Sequence, residues 1–373
     1  MTPIRVLFAF GTRPEAIKMA SLIQDMRVDS RHFEAVVCAT GQHRQMLEQV
    51  LDLFGLCPDF NLDVMEPAQT LAALTGRLIN ELDRVTEQVK PHWICVQGDT
   101  TSALTGAMVA FYRGIRVAHV EAGLRTGNMG HPFPEEFNRR VIDVVSEIYF
   151  APTPSAAENL FREGVRADSV VVTGNTGIDS LLRVAEKPCD WNGTPLAGLA
   201  SSTNLVLITA HRRESFGQPF RDLCMALGTL ADQFPDHAFI YPVHLNPNVQ
   251  KPVRELLSGR SNLLLVDPVD YVTLVHLLKR ARLVLTDSGG IQEEAPSFGV
   301  PILVMRETTE RPEAVEAGFA SLVGTDPNRI VAEAAAILSR DPTTTKVRKP
   351  NPFGDGRASQ RILTALRNYP VTF

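Results

Sequence analysis

Apolar residues fall in short, nearly continuous runs, and each run gives way to a stretch where they recur at helical spacing. In the first half the runs are IRVLFAF (4–10), EAVVCAT (34–40), HWICVQ (92–97), RVAHV (116–120) and EIYFA (147–151). The second half has SVVVT (169–173), NLVLIT (204–209), AFIYPV (238–243), NLLLV (262–266), RLVLT (282–286) and VPILV (300–304). Segments such as 14–26 and 270–281 carry the helical pattern between them. A strand apolar on both sides is one that helices cover on both faces, so the alternation predicts parallel sheets. Eleven or twelve strands in two series predict an α/β chain of two doubly wound, Rossmann-like domains. A single barrel of eight βα units is the alternative.

The boundary is expected near 170–200, where EKPCDWNGTPLAGLASSTN is rich in Pro, Gly and Ser and lacks periodicity. The division expected is 1–172, then 173–354, then a closing segment, 355–373. That segment carries an amphipathic helix, ASQRILTALRNY (358–369), able to pack back on the first domain. The length of 373 residues agrees, being too much for one ordinary core.

Charge and composition narrow the function. The 37 basic and 42 acidic residues are mixed along the chain, with a net charge of −5 and no basic stripe, so nucleic acid is not an expected partner. No run approaches the length of a membrane span, and MTPIRVLFAFGTR lacks the features of a signal peptide. The five cysteines are scattered without a CxxC pair, so neither a disulfide framework nor a zinc site is expected. A cytoplasmic protein is the expectation. Neither a G-x-G-x-x-G after the first strand nor a G-x-x-x-x-G-K-[ST] occurs, and no metal site or resident cofactor is expected.

In doubly wound sheets ligands bind beyond the carboxyl ends of the strands, so the residues just after each apolar run matter most. They are polar throughout. FGTRPEAIK (10–18) sets Pro14 at a first helical position and offers Arg13 and Lys18 as cations for a diphosphate. GDTTS (98–102) sets Asp99 at a strand end, where an N-cap is the plainer role. RVAHVEAGLRT (116–126) ends its strand on Glu121, and HPFPEEFNRR (131–140) adds Glu135 and Glu136. Carboxylates gathered on one side of a sheet suit acid and base work, or form a structural network with Arg125, Arg139 and Arg140. TAHRRESF (209–216) brings His211 out of a strand beside Arg212 and Arg213, and YPVHLNPNV (241–249) adds His244. TDSGGIQEEA (286–295) opens a helix at Ser288, Gly289 and Gly290, a place for a phosphate, with Glu294 a turn further in for ribose hydroxyls.

Together with GQHRQML, TGNTGID and TTERPEA, these motifs resemble, in order and spacing, the non-hydrolysing bacterial UDP-N-acetylglucosamine (UDP-GlcNAc) 2-epimerases, from residue 4 to about 366. The resemblance implies the glycosyltransferase-B architecture, two Rossmann-like domains facing a central cleft. It implies interconversion of UDP-GlcNAc and UDP-ManNAc without a cofactor, ManNAc supply for bacterial surface polysaccharide, and a homodimer. Arg13, Lys18, Ser288, Gly289, Gly290, Glu294 and Arg311 match substrate-binding positions. Asp99, Glu121, Glu135 and His211 match catalytic ones. Gln42, His43, Glu136, Arg212 and His244 match positions for a second UDP-GlcNAc acting as allosteric activator. The loop before Glu135 departs from the family pattern, with Met129-Gly130-His131 for a Leu-Tyr-Ser-type segment and Phe133 for Trp. That departure bears on which UDP-sugar is accepted, a modified sugar such as a diacetamido uronic acid being the alternative. A glycosyltransferase or a non-catalytic UDP-sugar sensor would keep the nucleotide site; the carboxylates argue against the sensor.

Overall fold

The computed structural model describes residues 2–41, 44–66, 68–192, 194–199 and 204–369. They divide into two compact units, Met1–Ser180 with Phe353–Phe373, and Leu181–Pro352.

The first unit runs β1 (Ile4–Phe10), α1 (Arg13–Val28), β2 (Phe33–Ala39), α2 (Arg44–Phe54), β3 (Phe60–Asn61), α3 (Leu71–Val89), β4 (Trp93–Gln97) and α4 (Thr101–Tyr112). It continues with β5 (Arg116–Val120), α5 (Glu135–Val145), β6 (Ile148–Ala151), α6 (Pro154–Arg162), β7 (Val170–Val172) and the start of α7 (Thr176–Ala185), whose residues after Ser180 belong to the second unit. Its sheet is parallel, in the order β3-β2-β1-β4-β5-β6-β7. Every residue of β4 and β6 is buried, as expected for strands covered on both faces. Leu7, Ala9, Ile94, Val96, Leu104 and Val117 form the centre of one core layer.

The second unit runs β8 (Asn204–Thr209), α8 (Gln218–Gln233), β9 (His237–Pro242), α9 (Pro247–Leu257), β10 (Leu263–Val266), α10 (Tyr271–Arg280) and β11 (Ala281–Thr286). Then come α11 (Gly289–Glu294), β12 (Ile302–Val304), α12 (Pro312–Glu316), β13 (Ala320–Leu322), α13 (Pro327–Leu338) and α14 (Pro342–Thr345). Its parallel sheet has the order β10-β9-β8-β11-β12-β13. Phe220, Phe239 and Tyr241 fill its core, and the Tyr241 hydroxyl donates to the carbonyl of Ala210 at 2.6 Å. The described residues thus hold two doubly wound sheets and no barrel. Two strands escape the sequence pattern, β3 and β13. Each is two or three residues long and lies at a sheet edge, too short to show a period.

The last helix, α15 (Ala358–Asn368), belongs to the first unit, where it packs on α1. Its first turn has no cap of its own. Asp179 of α7 supplies one, accepting from the backbone N–H groups of Ala358 (3.1 Å) and Ser359 (2.8 Å). Beyond the helix, Tyr369 sets its ring edge-on to Trp93 with centroids 5.1 Å apart, and its hydroxyl donates to Glu147 at 2.6 Å.

The exit from β5 is set by one glycine. Gly123 has φ +85°, and a Cβ there would lie 2.2 Å from the carbonyl oxygen of Ala156 and 2.9 Å from Leu160. Its own carbonyl accepts from Asn159 at 3.0 Å, so the loop lies flat on α6. Backbone cannot yield as a flexible side chain would. Gly123→Ala is expected to destabilise the protein by about 3 kcal/mol, from overpacking and a backbone angle that alanine disfavours. Urea unfolding reads this, and an unchanged midpoint would show that the loop has room to move away from α6.

Candidate active site

The strand order reverses between β1 and β4 in the first unit and between β8 and β11 in the second. These switch points are where doubly wound sheets bind ligands. Most of the candidate residues lie beyond the carboxyl ends of those four strands and of β5, each unit carrying its own set; His244 follows β9 and Arg311 follows β12.

Glu121 follows β5 with φ 68°, one of four non-glycine positive φ values among the described residues. An L residue pays for that conformation, so something must hold it. Its N–H and that of Ala122 both donate to the carbonyl of Phe150, at 3.0 and 3.1 Å. The side chain is 9% exposed; Lys18 of α1 pairs with Oε2, and Gln97 Nε2 donates to the same oxygen at 2.7 Å. Gln97 faces Val120 across the β4–β5 register, so Asp99 and Glu121 leave neighbouring strands side by side.

Asp99 is no N-cap. Thr100 caps α4, and Asp99 instead pairs with Arg139, Oδ2 to Nη2 at 2.5 Å. Asn138 Nδ2 donates to its backbone carbonyl at 2.8 Å. Both partners lie on α5, which begins with Glu135. Glu135 is half-buried and makes no side-chain hydrogen bond or ion pair with the described residues. Glu136 is the opposite case, fully buried. Its carboxylate accepts from the N–H groups of Thr126 (3.0 Å) and Gly127 (3.2 Å) and meets Arg139 and Arg140. Burial alone would raise its pKa, but the Thr126 N–H and the two guanidiniums together hold it below the ordinary range. Arg13 stands exposed at the start of α1 with no ion pair among the described residues. Gln42 and His43 lie outside the described residues.

Glu15 belongs to this cluster and was not among the expected residues. It is 1% exposed. One oxygen accepts from the N–H groups of Gly11 (3.1 Å) and Thr12 (2.8 Å), the other from the Thr100 hydroxyl (2.6 Å). It therefore ties the loop after β1 to the loop after β4. Burial raises its pKa, with the hydrogen bonds working against that rise. The signal was present in TRPE, a capping box formed by Thr12 and Glu15.

In the second unit a carboxylate again joins the two switch-point loops. Asp287, 1% exposed, accepts from the N–H groups of His211 (2.7 Å) and Arg212 (2.8 Å) through Oδ2. Among the described residues its Oδ1 has no hydrogen-bond partner, and it lies 3.6 Å from His211 Nδ1. The imidazoles of His211 and His244 stack with centroids 5.3 Å apart. Desolvation lowers the pKa of His211; Asp287 opposes this, while His244 and Arg212 add to it. Ser288 stands at the N-cap of α11 with its hydroxyl making no capping bond, and Gly290 is exposed. A Cβ on Gly289 would sit 3.8 Å from the Arg311 guanidinium and 3.9 Å from that of Arg212, so two cations converge on the helix start. Arg311 also pairs with Glu293, and Glu294 accepts from the Tyr271 hydroxyl at 2.9 Å.

The two units thus carry complementary sets: carboxylates with matched cations in the first, and cations with a glycine-opened helix start in the second. Among the described residues no group of three or more His, Cys, Asp or Glu is arranged to hold a metal ion, and no helix is long and apolar enough to cross a membrane.

The sequence profile of the UDP-N-acetylglucosamine 2-epimerases matches residues 26–367. A UDP-N-acetylglucosamine 2-epimerase of Yersinia pestis is 48% identical over 379 aligned positions, covering 99% of this chain and 100% of its own. The crystal structure of the Neisseria meningitidis UDP-GlcNAc 2-epimerase bound to UDP-GlcNAc is 42% identical, with a TM-score of 0.89 over 97% of this chain and 99% of that one. A structure from Listeria monocytogenes described as a UDP-N-acetylglucosamine 2-epimerase is 40% identical, with a TM-score of 0.91 over 98% of this chain and 96% of that one. The chain belongs to the UDP-N-acetylglucosamine 2-epimerase family.

Proposed function

We propose that this protein interconverts UDP-GlcNAc and UDP-ManNAc by eliminating UDP and adding it back. The observation that carries the reading is Glu121, a carboxylate held in left-handed backbone at a strand end beside Asp99. A C–H bond at C2 of a sugar is not acidic by itself. When the C1–O bond breaks, UDP leaves with the electron pair and C1 gains oxocarbenium character, which acidifies the C2 proton. A carboxylate removes that proton and the C1–C2 double bond of 2-acetamidoglucal forms. A proton then arrives at the other face of C2, and a diphosphate oxygen attacks C1.

Each step asks for a group the chain has. Charge develops on the departing diphosphate, and cations that meet it there lower the barrier. Arg13, Lys18, Arg311 and the helix start at Ser288–Gly290 take that role, with Glu294 directed to the ribose. His211 stands by the departing phosphate. Asp99 and Glu121 handle the C2 proton, and Glu135 supports or shares that work. Arg212, His244, Glu136, Gln42 and His43 serve a second UDP-GlcNAc as activator, and the working form is a homodimer. The ManNAc product supplies surface polysaccharide.

Proton NMR with UDP-GlcNAc in D₂O tests the reaction. UDP-ManNAc is expected to appear with deuterium at C2 in both sugars, and Asp99→Asn or Glu121→Gln is expected to slow turnover by roughly 10²–10⁴-fold. Retained C2 protons and no product would sink the reading, and full turnover in both variants would sink the assignment of the carboxylates.

His211 supplies a second test. Its desolvated imidazole has a pKa below the ordinary histidine value in the free protein. A diphosphate beside it adds negative charge, which favours the imidazolium and moves the pKa up. Histidine-selective NMR titration is expected to show that upward move on adding UDP. A pKa indifferent to UDP would remove His211 from the phosphate.

A further inference from the structure

His119 lies two residues before Glu121 on β5 and is fully buried. Its Nδ1 is 2.6 Å from Asp143 Oδ1, and its Nε2 is 2.8 Å from the carbonyl oxygen of Gly98. Both partners are acceptors, and a carbonyl can be nothing else, so the two contacts need a hydrogen on each ring nitrogen. Asp143, itself 4% exposed, is fixed from its other side by Arg125 at 2.7 Å, and Arg125 reaches on to Glu163 at 2.6 Å. Burial would raise the pKa of Asp143, but His119 and Arg125 hold it below the ordinary carboxylate range.

The far end of this chain of charges is the residue before Asp99. Gly98 has φ +67° and its N–H donates to the carbonyl of Val120 at 2.9 Å, so its N–H and C=O are both held by β5, through Val120 and the His119 ring. Asp99 is then held by α5, through Asn138 and Arg139. Asp143 sits on that same helix, one turn beyond Arg139. β5, the Gly98–Asp99 turn and α5 therefore form a closed ring of hydrogen bonds, and His119–Asp143 is the link that closes it.

We propose that His119, clamped by Asp143, is a positioning residue that fixes the Asp99 carboxylate against Glu121. The inference rests on the reading of Asp99 and Glu121 as the groups that move the C2 proton. An imidazole with one N–H can hold Asp143 or Gly98 but not both, so the doubly donating ring is what sets the geometry. Loss of the clamp lets the Gly98 peptide rotate. That displaces Asp99 without removing any group that binds the nucleotide.

The test uses the full-length protein with His119→Gln and Asp143→Asn, histidine-selective 15N NMR of the ring nitrogens, and kinetics with UDP-GlcNAc. Two protonated nitrogens are expected for His119 in the wild type, and one in Asp143→Asn. In both variants kcat is expected to fall by roughly 10²-fold with KM nearly unchanged, the pattern of misplaced chemistry and not of lost binding. A residue that only stabilised the fold would lower the unfolding midpoint and leave kcat per folded molecule alone. A wild-type ring carrying one proton, or folded His119→Gln turning over at the wild-type rate, overturns the proposal. Should His119→Gln not fold, the wild-type and Asp143→Asn spectra decide. Absence of C2 exchange in the wild type would instead bring down the epimerase reading, and the ring spectrum would still judge the clamp.

Discussion

The pairing of Lys18 with Glu121 carries a burden that a surface ion pair does not, because Glu121 is nearly buried and its backbone is left-handed. Taking a carboxylate out of water costs several kcal/mol unless a partner and hydrogen bonds meet it. Here Lys18 and Gln97 meet one oxygen, and the doubled hydrogen bond to Phe150 holds the backbone. Lys18 is presented by α1, whose start is fixed by Thr12 and Glu15, and Glu15 also reaches Thr100. The ends of β1, β4 and β5 are thereby bound into one assembly. Disturbing any of them shifts the carboxylate on which the proposed chemistry turns.

The second unit solves a related problem with the opposite charge. Asp287 gives one oxygen to two backbone N–H groups and so fastens the loop after β8 to the loop after β11. The guanidiniums of Arg212 and Arg311 lie near Gly289, where a Cβ would sit 3.9 and 3.8 Å from them. A leaving diphosphate wants fixed positive charge, and a carbon acid wants fixed negative charge. Within the first unit each of Asp99 and Glu121 is matched to its own cation, while Glu135 has no ion pair among the described residues.

Much of this was readable in the sequence because parallel strands buried on both faces leave unmistakable apolar runs, and because such sheets put their chemistry just beyond those runs. Glu121, Asp99, His211 and Ser288 all stood at run ends. What the pattern concealed were contacts between residues far apart in the chain. Asp287 looks like part of a turn until its two N–H partners 75 and 76 residues away are known. His119 reads as one more inward position of β5 until Asp143 and Gly98 meet its ring. Neither contact has a spacing that could announce it.

Helix α5 shows how such separate signals become one structure. Glu136, Arg139 and Asp143 recur at three- and four-residue steps, so they share one face of the helix. Asn138 and Arg139 grip Asp99, Asp143 grips the ring that holds Gly98, and Glu135 is the first residue of the helix. Glu136, seven residues before Asp143, meets Arg139 on that face and anchors the 126–127 turn. Two adjacent glutamates that look alike in PEEFNRR therefore have different surroundings. Glu136 is buried and held as part of the frame, and Glu135 is half-buried with no side-chain hydrogen bond or ion pair among the described residues.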